Sequence, residues 1–247
     1  MGFKTVFQRY ELKYVITAEQ KNIVLEAMKP YMEMDNYGRT TIRNLYFDTD
    51  TYLLIRRSIE KPEYKEKLRV RSYGKAESDS TVFVELKKKY KSVVYKRRIS
   101  LALGEAMKWL KGEQNIDNNT QISREIDYFK EYYGSLHPTV FLSYEREAYF
   151  TKIKSDFRVT FDENILVREE DLSLGSQVYG IPILPDGMTL MEIKCSGGIP
   201  LWMTGVLSRE NIYKTSFSKY GTAYTNLIFP RLKLAYLQRN KEENMNV

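Results

Sequence analysis

The chain has 247 residues, 43% of them hydrophobic and 29% charged, enough for one domain with a full core. Lys and Arg total 39 against 32 Asp and Glu, a net charge of +7 and a pI near 9.2, which favours polyanionic partners. No apolar run approaches the ~20 residues of a membrane span, Met1 to Tyr10 lacks the apolar core of a signal peptide, and the lone cysteine, Cys195, excludes an internal disulfide and fits a reducing, cytoplasmic setting.

In chain order, Phe7 to Ile16 alternates as a strand, with Arg9, Glu11 and Lys13 on one face. Thr17 and Gln20 form a capping box for a helix carrying Val24, Leu25 and Met28 and ending before Pro30. Met28, Met32 and Met34 read as helix core and helix end. Ile42 to Asp48 is a second strand, Ser58 to Tyr64 a loop, and Lys65 to Tyr73 a third strand closed by a turn at Gly74. Thr81 to Lys89 and Val93 to Leu101 pair as neighbours, and the charged run Lys87 to Lys91 is a hairpin end. A helical insert at about 103–134 follows, with helices at Gly104 to Lys111 and Ser123 to Tyr133 joined by the polar Asn115 to Thr120. Val140 to Phe150, Asp156 to Asp162 and Thr189 to Cys195 are strands. In the C-terminal part, from Ile199 on, Leu201 to Val206 and Ser208 to Tyr213 read as short helices and Thr222 to Arg239 as a helix broken at Pro230, giving a helical segment at about 208–240. No linker divides the chain.

The strands share a parity. Successive strand side chains point to opposite faces, so Lys67, Arg69 and Arg71 share one face and Leu68 and Val70 the other. Glu85 and Lys87, Lys96 and Arg98, Arg158 and Asp162, and Glu192 and Lys194 repeat the pattern. About eight strands with helices set apart predict an α+β fold built on an eight-stranded antiparallel β-barrel with surrounding helices. Periodicity leaves two arrangements open. Either the apolar faces pack inside and the charges are solvated, or the charges line a basic tunnel and helices cover the apolar outside. Carboxylates sharing the basic face, Glu11, Glu85, Asp162 and Glu192, favour the tunnel, because converging cations need balance or a metal.

Several runs resemble the polyphosphate polymerase domain of the vacuolar transporter chaperone family, a branch of the triphosphate tunnel metalloenzymes. They are Arg9 to Tyr14 (RYELKY), Leu45 to Asp48 (LYFD), Leu68 to Gly74 (LRVRSYG), Val84 to Lys87 (VELK), Lys96 to Arg98, Tyr144 to Arg146, Arg158 to Asp162 (RVTFD), Met191 to Lys194 (MEIK) and Phe217 to Tyr220 (FSKY). They keep the family's order from about residue 7 to about residue 221. The resemblance implies an eight-stranded tunnel and transfer of the γ-phosphoryl group of ATP onto a growing inorganic polyphosphate chain, with Mn²⁺ or Mg²⁺. It implies that Arg69, Arg71, Lys87, Arg146 and Arg158 act on the transferring phosphates. Lys13, Lys96, Arg98, Lys194 and Lys219 would bind the phosphate chain, and Glu192, with Glu85 as the weaker candidate, the metal. Two departures stand out: Ser216 replaces a basic residue common in the family, and the first strand lacks the fuller run of glutamates of the triphosphatase branches. The membrane and regulatory domains of the eukaryotic complex are not in this sequence.

Arginine's planar fork suits phosphate oxygens bidentately, and Mg²⁺ needs only one or two carboxylates when phosphates complete its shell. The plainer alternatives are surface salt bridges for the arginines and pairing with Lys194 for Glu192. A tripolyphosphatase, a nucleotidyl cyclase and a non-catalytic polyphosphate-binding module are the alternative functions, and a nucleic-acid partner is not expected. His137, the only histidine, reads as a loop or cap residue, and Cys195 as a buried, inert thiol.

Overall fold

The computed structural model describes residues 10–245 except Ser92, 117–119 and Lys154, with the backbone alone at 242–245. The Phe7 to Arg9 part of the first predicted strand and the middle of the Asn115 to Thr120 connection lie outside the described residues. The elements in chain order are β1 (Tyr10–Thr17), α1 (Ala18–Met28), β2 (Met32–Met34), β3 (Thr40–Asp48), α2 (Leu53–Ile59), β4 (Tyr64–Tyr73), β5 (Thr81–Tyr90), β6 (Val93–Ala102), α3 (Leu103–Leu110) and α4 (Gln121–Tyr133). Then come β7 (His137–Thr151), β8 (Arg158–Arg168), β9 (Ile181–Pro182), β10 (Met188–Cys195), α5 (Leu201–Arg209), α6 (Lys219–Ala223), a π-helical turn (Tyr224–Ile228) and α7 (Phe229–Met245).

The fold is α+β. The sheet is antiparallel, in the order β1-β10-β8-β7-β3-β4-β5-β6, with β2 added beside β7 and β9 beside β8. It is not the closed barrel expected. Among the described residues β1 and β6 stay unpaired with each other. The free edge of β1 is met instead by the connection between α5 and α6, where the Thr215 N–H donates to the Lys13 carbonyl at 2.7 Å. The open sheet is nevertheless strongly curled. Lys13 on β1 donates to the Phe217 carbonyl at 2.9 Å, and Lys67 on β4 donates to the Ser218 hydroxyl at 3.2 Å. Four strands separate β1 from β4 in the sheet order, so two side chains meeting one dipeptide require the sheet to bend round it.

The bend decides which parity faces out. Val70, Val84 and Leu86 pack on the convex side against Trp109 of α3 and Phe129 of α4. Ile16, Phe161, Ile193 and Cys195 pack against Val24 and Met28 of α1 and Met203 of α5. Each such buried side chain contributes about 1.5–3 kcal/mol, whereas an exposed salt bridge contributes ~0–1 kcal/mol. Burying the apolar face under helices therefore outweighs solvating the charged one, and the charges are left lining the hollow. At one end of that hollow Tyr220, Ala223 and Ile228 pack onto Ile42, Tyr46, Val140 and Leu142.

Local chemistry accounts for the elements. The Thr17–Gln20 capping box is present at α1, and Gly74 takes φ +85°, where an L side chain would be strained. Met32 and Met34 lie on β2, not at a helix end; Met32 packs into the core beside α1. His137 opens β7 with its ring 3.5 Å from Asp50. A single helix, α5, stands where two short ones were expected. The helical run 219–245 passes Pro230 unbroken, because the π-turn immediately before it absorbs the missing N–H.

Helix α2 begins at Leu53, in a stretch to which the sequence assigned no element, and its last two residues run into the loop expected at Ser58 to Tyr64; Asp48 is the reason it starts there. Its fully buried carboxylate accepts from the N–H groups of Thr49, Leu54 and Ile55 at 2.8–3.0 Å and from the Tyr220 hydroxyl at 3.0 Å. One side chain thus caps α2 and ties α6 to β3. Replacing Asp48 with Ala strands these donors and is expected to cost about 2–4 kcal/mol, measured by urea unfolding. Wild-type stability in that variant would contradict the tie.

Candidate active site

The concave face carries two ion clusters. The first is built on β4, β5 and β6, whose register aligns Arg69 with Glu85 and Glu85 with Arg98. Glu85 is 1% exposed. It takes Arg69 (Nη2 2.7 Å, Nε 2.8 Å), Lys96 (2.7 Å) and Arg98 (2.9 Å). Burial alone would raise the Glu85 pKa, but Arg69, Arg71 and Lys96 hold it well below the usual carboxylate range. Both its oxygens are taken by cations, so it orients the arginines. Tyr46 accepts from Arg69 at 3.1 Å, Asn44 and Tyr144 from Arg71 at 2.9 and 3.0 Å, and Tyr73 from Arg98 at 3.0 Å. These contacts fix the guanidinium planes, and with them the direction of every remaining donor.

The second cluster is built on β1, β10, β8, β7 and α6. Asp162, fully buried, accepts a bidentate pair from Arg146 at 2.6 and 2.7 Å and a third bond from Lys219 at 2.5 Å. Glu192 has Lys194 and Lys219 at 3.4 Å, Lys13 at 3.6 Å and Arg146 at 3.8 Å. Despite burial, Lys219, Lys194, Lys13 and Arg146 hold Glu192 well below the usual carboxylate range. The register sets Glu192 opposite Lys13 and Thr160, and Lys194 opposite Arg158. Arg158 lies 4.5 Å from the centre of the Phe150 ring, and its buried Nε finds no partner among the described residues. The Thr160 hydroxyl is likewise buried and unpartnered.

The structure therefore brings together all the residues singled out in the sequence: Arg69, Arg71, Lys87, Lys96, Arg98 and Glu85 on one wall, Lys13, Arg146, Arg158, Glu192, Lys194 and Lys219 on the other. The hollow is wet. Lys87 reaches solvent, yet burial pushes its amine down. Burial likewise lowers Lys96, and Glu85 opposes it, leaving the amine at about 8. Cations outnumber the carboxylates Glu11, Glu85, Asp162 and Glu192, and Coulomb repulsion among them leaves room for added negative charge.

The oxygen donors suit a hard divalent ion. Among the described residues no three acidic, histidine or cysteine side chains converge on one point, so a metal here would rest on Glu192, with Asp162 beside it, and draw its remaining ligands from phosphate and water.

The sequence reading missed Asn44, Tyr46 and Tyr73, which hold the arginines. They share parity with charged positions, and applying the alternation to polar and aromatic residues would have found Asn44 and Tyr46 on β3. The buried thiol of Cys195 lies on the convex side, its pKa raised by burial, as expected of an inert cysteine.

The fold is thus a curled, open antiparallel sheet with a basic, carboxylate-bearing hollow on its concave face. Residues 8–228 match the model of the VTC domain, and the chain belongs to that family. It is 22% identical over 281 residues to subunit 4 of the vacuolar transporter chaperone complex of Trypanosoma cruzi; the match covers 90% of this chain and 34% of that protein. The chain thus spans about a third of the length of this curated relative. In structure it is similar to a candidate adenylyl cyclase from Hippeastrum described as having a dominant triphosphatase activity, with TM-score 0.54 at 17% identity, covering 88% of this chain and 96% of that one. It is also similar to a candidate adenylate cyclase from Bacillus halodurans, with TM-score 0.52 at 15% identity over 84% and 92% of the two chains. These likenesses show the fold. Among the described residues no helix is long and apolar enough to cross a membrane.

Removing the Glu85 charge leaves three cations facing one another without their anion. Glu85→Gln is expected to lower the melting temperature by about 6–20 °C, from about 3–5 kcal/mol for a broken buried pair. Added tripolyphosphate is expected to raise the melting temperature of the variant more than that of the wild type. Equal shifts in a thermal-melt titration would show that Glu85 does not balance the anion-binding cations.

Proposed function

We propose that the chain is a metal-dependent polyphosphate polymerase that transfers the γ-phosphoryl group of ATP onto a growing inorganic polyphosphate chain within the hollow. The observation that carries this reading is the pair of cation clusters on the concave face, one held by buried Glu85 with Arg69 and Arg98 and the other by buried Asp162 with Arg146 and Lys219. Membership of the VTC domain family supports it, as does the name of the Trypanosoma cruzi relative.

Phosphoryl transfer asks little covalent chemistry of a protein; it asks for in-line placement and neutralisation of charge on the transferring group. Arg69 and Arg71 on one wall and Arg146 and Arg158 on the other can grip successive phosphates from opposite sides. Charge-assisted bonds of this type contribute about 1.5–3 kcal/mol each. Lys219 and Lys13, now paired with Asp162 and Glu192, have ammonium donors to spare for phosphate oxygens. A divalent ion, Mn²⁺ or Mg²⁺, held by Glu192 and the nucleotide phosphates, would supply further charge neutralisation. Asp162 keeps the Arg146 plane fixed throughout, so little reorganisation is needed when charge shifts from donor to acceptor.

Purified protein incubated with ATP and Mn²⁺ is expected to yield acid-labile polymer and ADP. Orthophosphate or cyclic AMP as the main product would replace this reading with a hydrolase or a cyclase. Arg69→Ala and Arg71→Ala are each expected to lower turnover by about 10²–10³-fold. Arg57→Ala, on α2 beside Tyr64, Glu66 and Tyr128, is expected to leave it within about twofold. Equal losses at all three would reduce the effect to generic electrostatics.

A further inference from the structure

On the convex face, where apolar residues are expected, one rung of the sheet is charged. Glu66 and Lys88 share the parity of Leu68, Val70, Val84 and Leu86, and the β4–β5 register sets them opposite each other. Glu66 is buried. It accepts from the Tyr64 hydroxyl and, at 3.1 Å, from the Tyr133 hydroxyl, while the Lys88 ammonium stands 3.9 Å away. Burial and Glu66 keep both phenols protonated, with Tyr133 held at about 12. A carboxylate offers about four lone-pair positions, so the two phenols leave acceptor capacity for a further donor.

Helix α4 does not close over this rung. Between α4, the end of α2 and the start of β4 lies a pocket of about 230 Å³, walled by tyrosine rings, with Arg57 and Lys88 also lining it. Tyr128 and Tyr132, one helical turn apart, hold their rings 6.3 Å from centre to centre and 28° from parallel. They stay 66% and 63% exposed, at positions where a surface helix usually carries charged or polar residues. Arg57 bears on the neutral Tyr133 phenol and has no carboxylate within ion-pair distance among the described residues. The pocket therefore combines aromatic faces, a buried acceptor and an exposed cation with no anion of its own.

We propose that this pocket binds a free nucleoside monophosphate, with the base among the tyrosine rings, a donor edge of the base on Glu66, and the phosphate on Arg57 at the mouth. Other ligand classes fit less of the wall. A quaternary ammonium ion suits the rings but is repelled by Arg57 and Lys88. A bare phosphate suits Arg57 but leaves the rings and the Glu66 acceptors unused. An apolar molecule strips water from Arg57, Lys88 and Glu66 and returns no hydrogen bond. A flat ring with hydrogen-bond donors at one end and an anion at the other meets all three elements. Stacking on tyrosine tolerates any base, so the walls define the class of ligand and not the base. The site lies across the sheet from the hollow. Glu66 and Lys67 are neighbours on β4 whose side chains point to opposite faces, so the pocket shares no side chain with the hollow and does not rest on the polymerase reading.

Calorimetric titration of the full chain with AMP, GMP, CMP and UMP tests this, with tripolyphosphate present in excess to occupy the hollow. At least one nucleotide is expected to bind with a Kd below about 1 mM. Its nucleoside, which lacks the phosphate, and ribose 5-phosphate, which lacks the base, are each expected to bind at least about tenfold more weakly. Tyr128→Ala, at an exposed position where folding is not at stake, and Arg57→Ala are each expected to weaken the nucleotide about tenfold. Tyr128→Phe keeps the ring and is expected to retain the affinity. In all three variants tripolyphosphate is expected to bind within about twofold of wild type. Four nucleotides that do not bind would overturn the site. Ribose 5-phosphate binding as tightly as the nucleotide would reduce it to an anion patch, and unchanged nucleotide affinity in Tyr128→Ala would place the binding elsewhere; either result overturns the proposal. Failure of the wild type to bind tripolyphosphate would count against the hollow and leave the Tyr128 comparison intact.

Discussion

Like charges on neighbouring strands repel. Cross-strand side chains start about 5 Å apart, where two unit charges in a partly buried setting oppose each other by roughly 3 kcal/mol. The concave face places such pairs side by side: Lys67 beside Lys87, Lys87 beside Lys96, Lys194 beside Arg158. Nothing in the sheet's own hydrogen bonding compensates that repulsion. It is tolerated because the opposite face buries apolar side chains under four helices, and because a few carboxylates are sunk where they meet several cations each. Asp162 and Glu85 therefore act as pins that hold guanidinium groups in fixed planes.

A site made this way is arranged in advance for an anion. The electrostatic cost of gathering the cations is met on folding, so an anion entering the hollow would relieve repulsion without having to create order. The same logic separates the two regions of the hollow. Where carboxylates balance arginines, the geometry is fixed and suits placement of a reacting group. Where lysine faces lysine, at Lys67–Lys87 and Lys65–Lys89, no carboxylate in the strand register fixes the ammonium groups.

Much of this was legible in the sequence because strand periodicity carries it. The alternation from Lys67 to Arg71 assigned faces correctly, and so did the Glu85–Lys87 and Arg158–Asp162 alternations; even the Thr17–Gln20 cap was readable from neighbouring residues. What escaped was non-local. Helix α2 is capped by Asp48 from the preceding strand, with Tyr220 from 172 residues away completing the cluster. The sheet stays open because the residues around Thr215 lie against the edge of β1, and no alternation pattern announces a segment that makes a single bridge. The tyrosines that orient Arg69 and Arg98 were hidden because a phenol counts as apolar in a hydropathy pattern yet serves here as a hydrogen-bond acceptor.

The central claim, that the concave face is the polyanion site, is tested most directly by a crystal structure of the protein with tripolyphosphate and Mn²⁺. The account predicts phosphate density inside the hollow, within hydrogen-bonding distance of Arg69 and Arg71 on one wall and of Arg146 and Lys219 on the other, with the metal against Glu192. Phosphate bound only to the outer surface, with the Glu85 and Asp162 ion pairs undisturbed and the hollow empty, would contradict it.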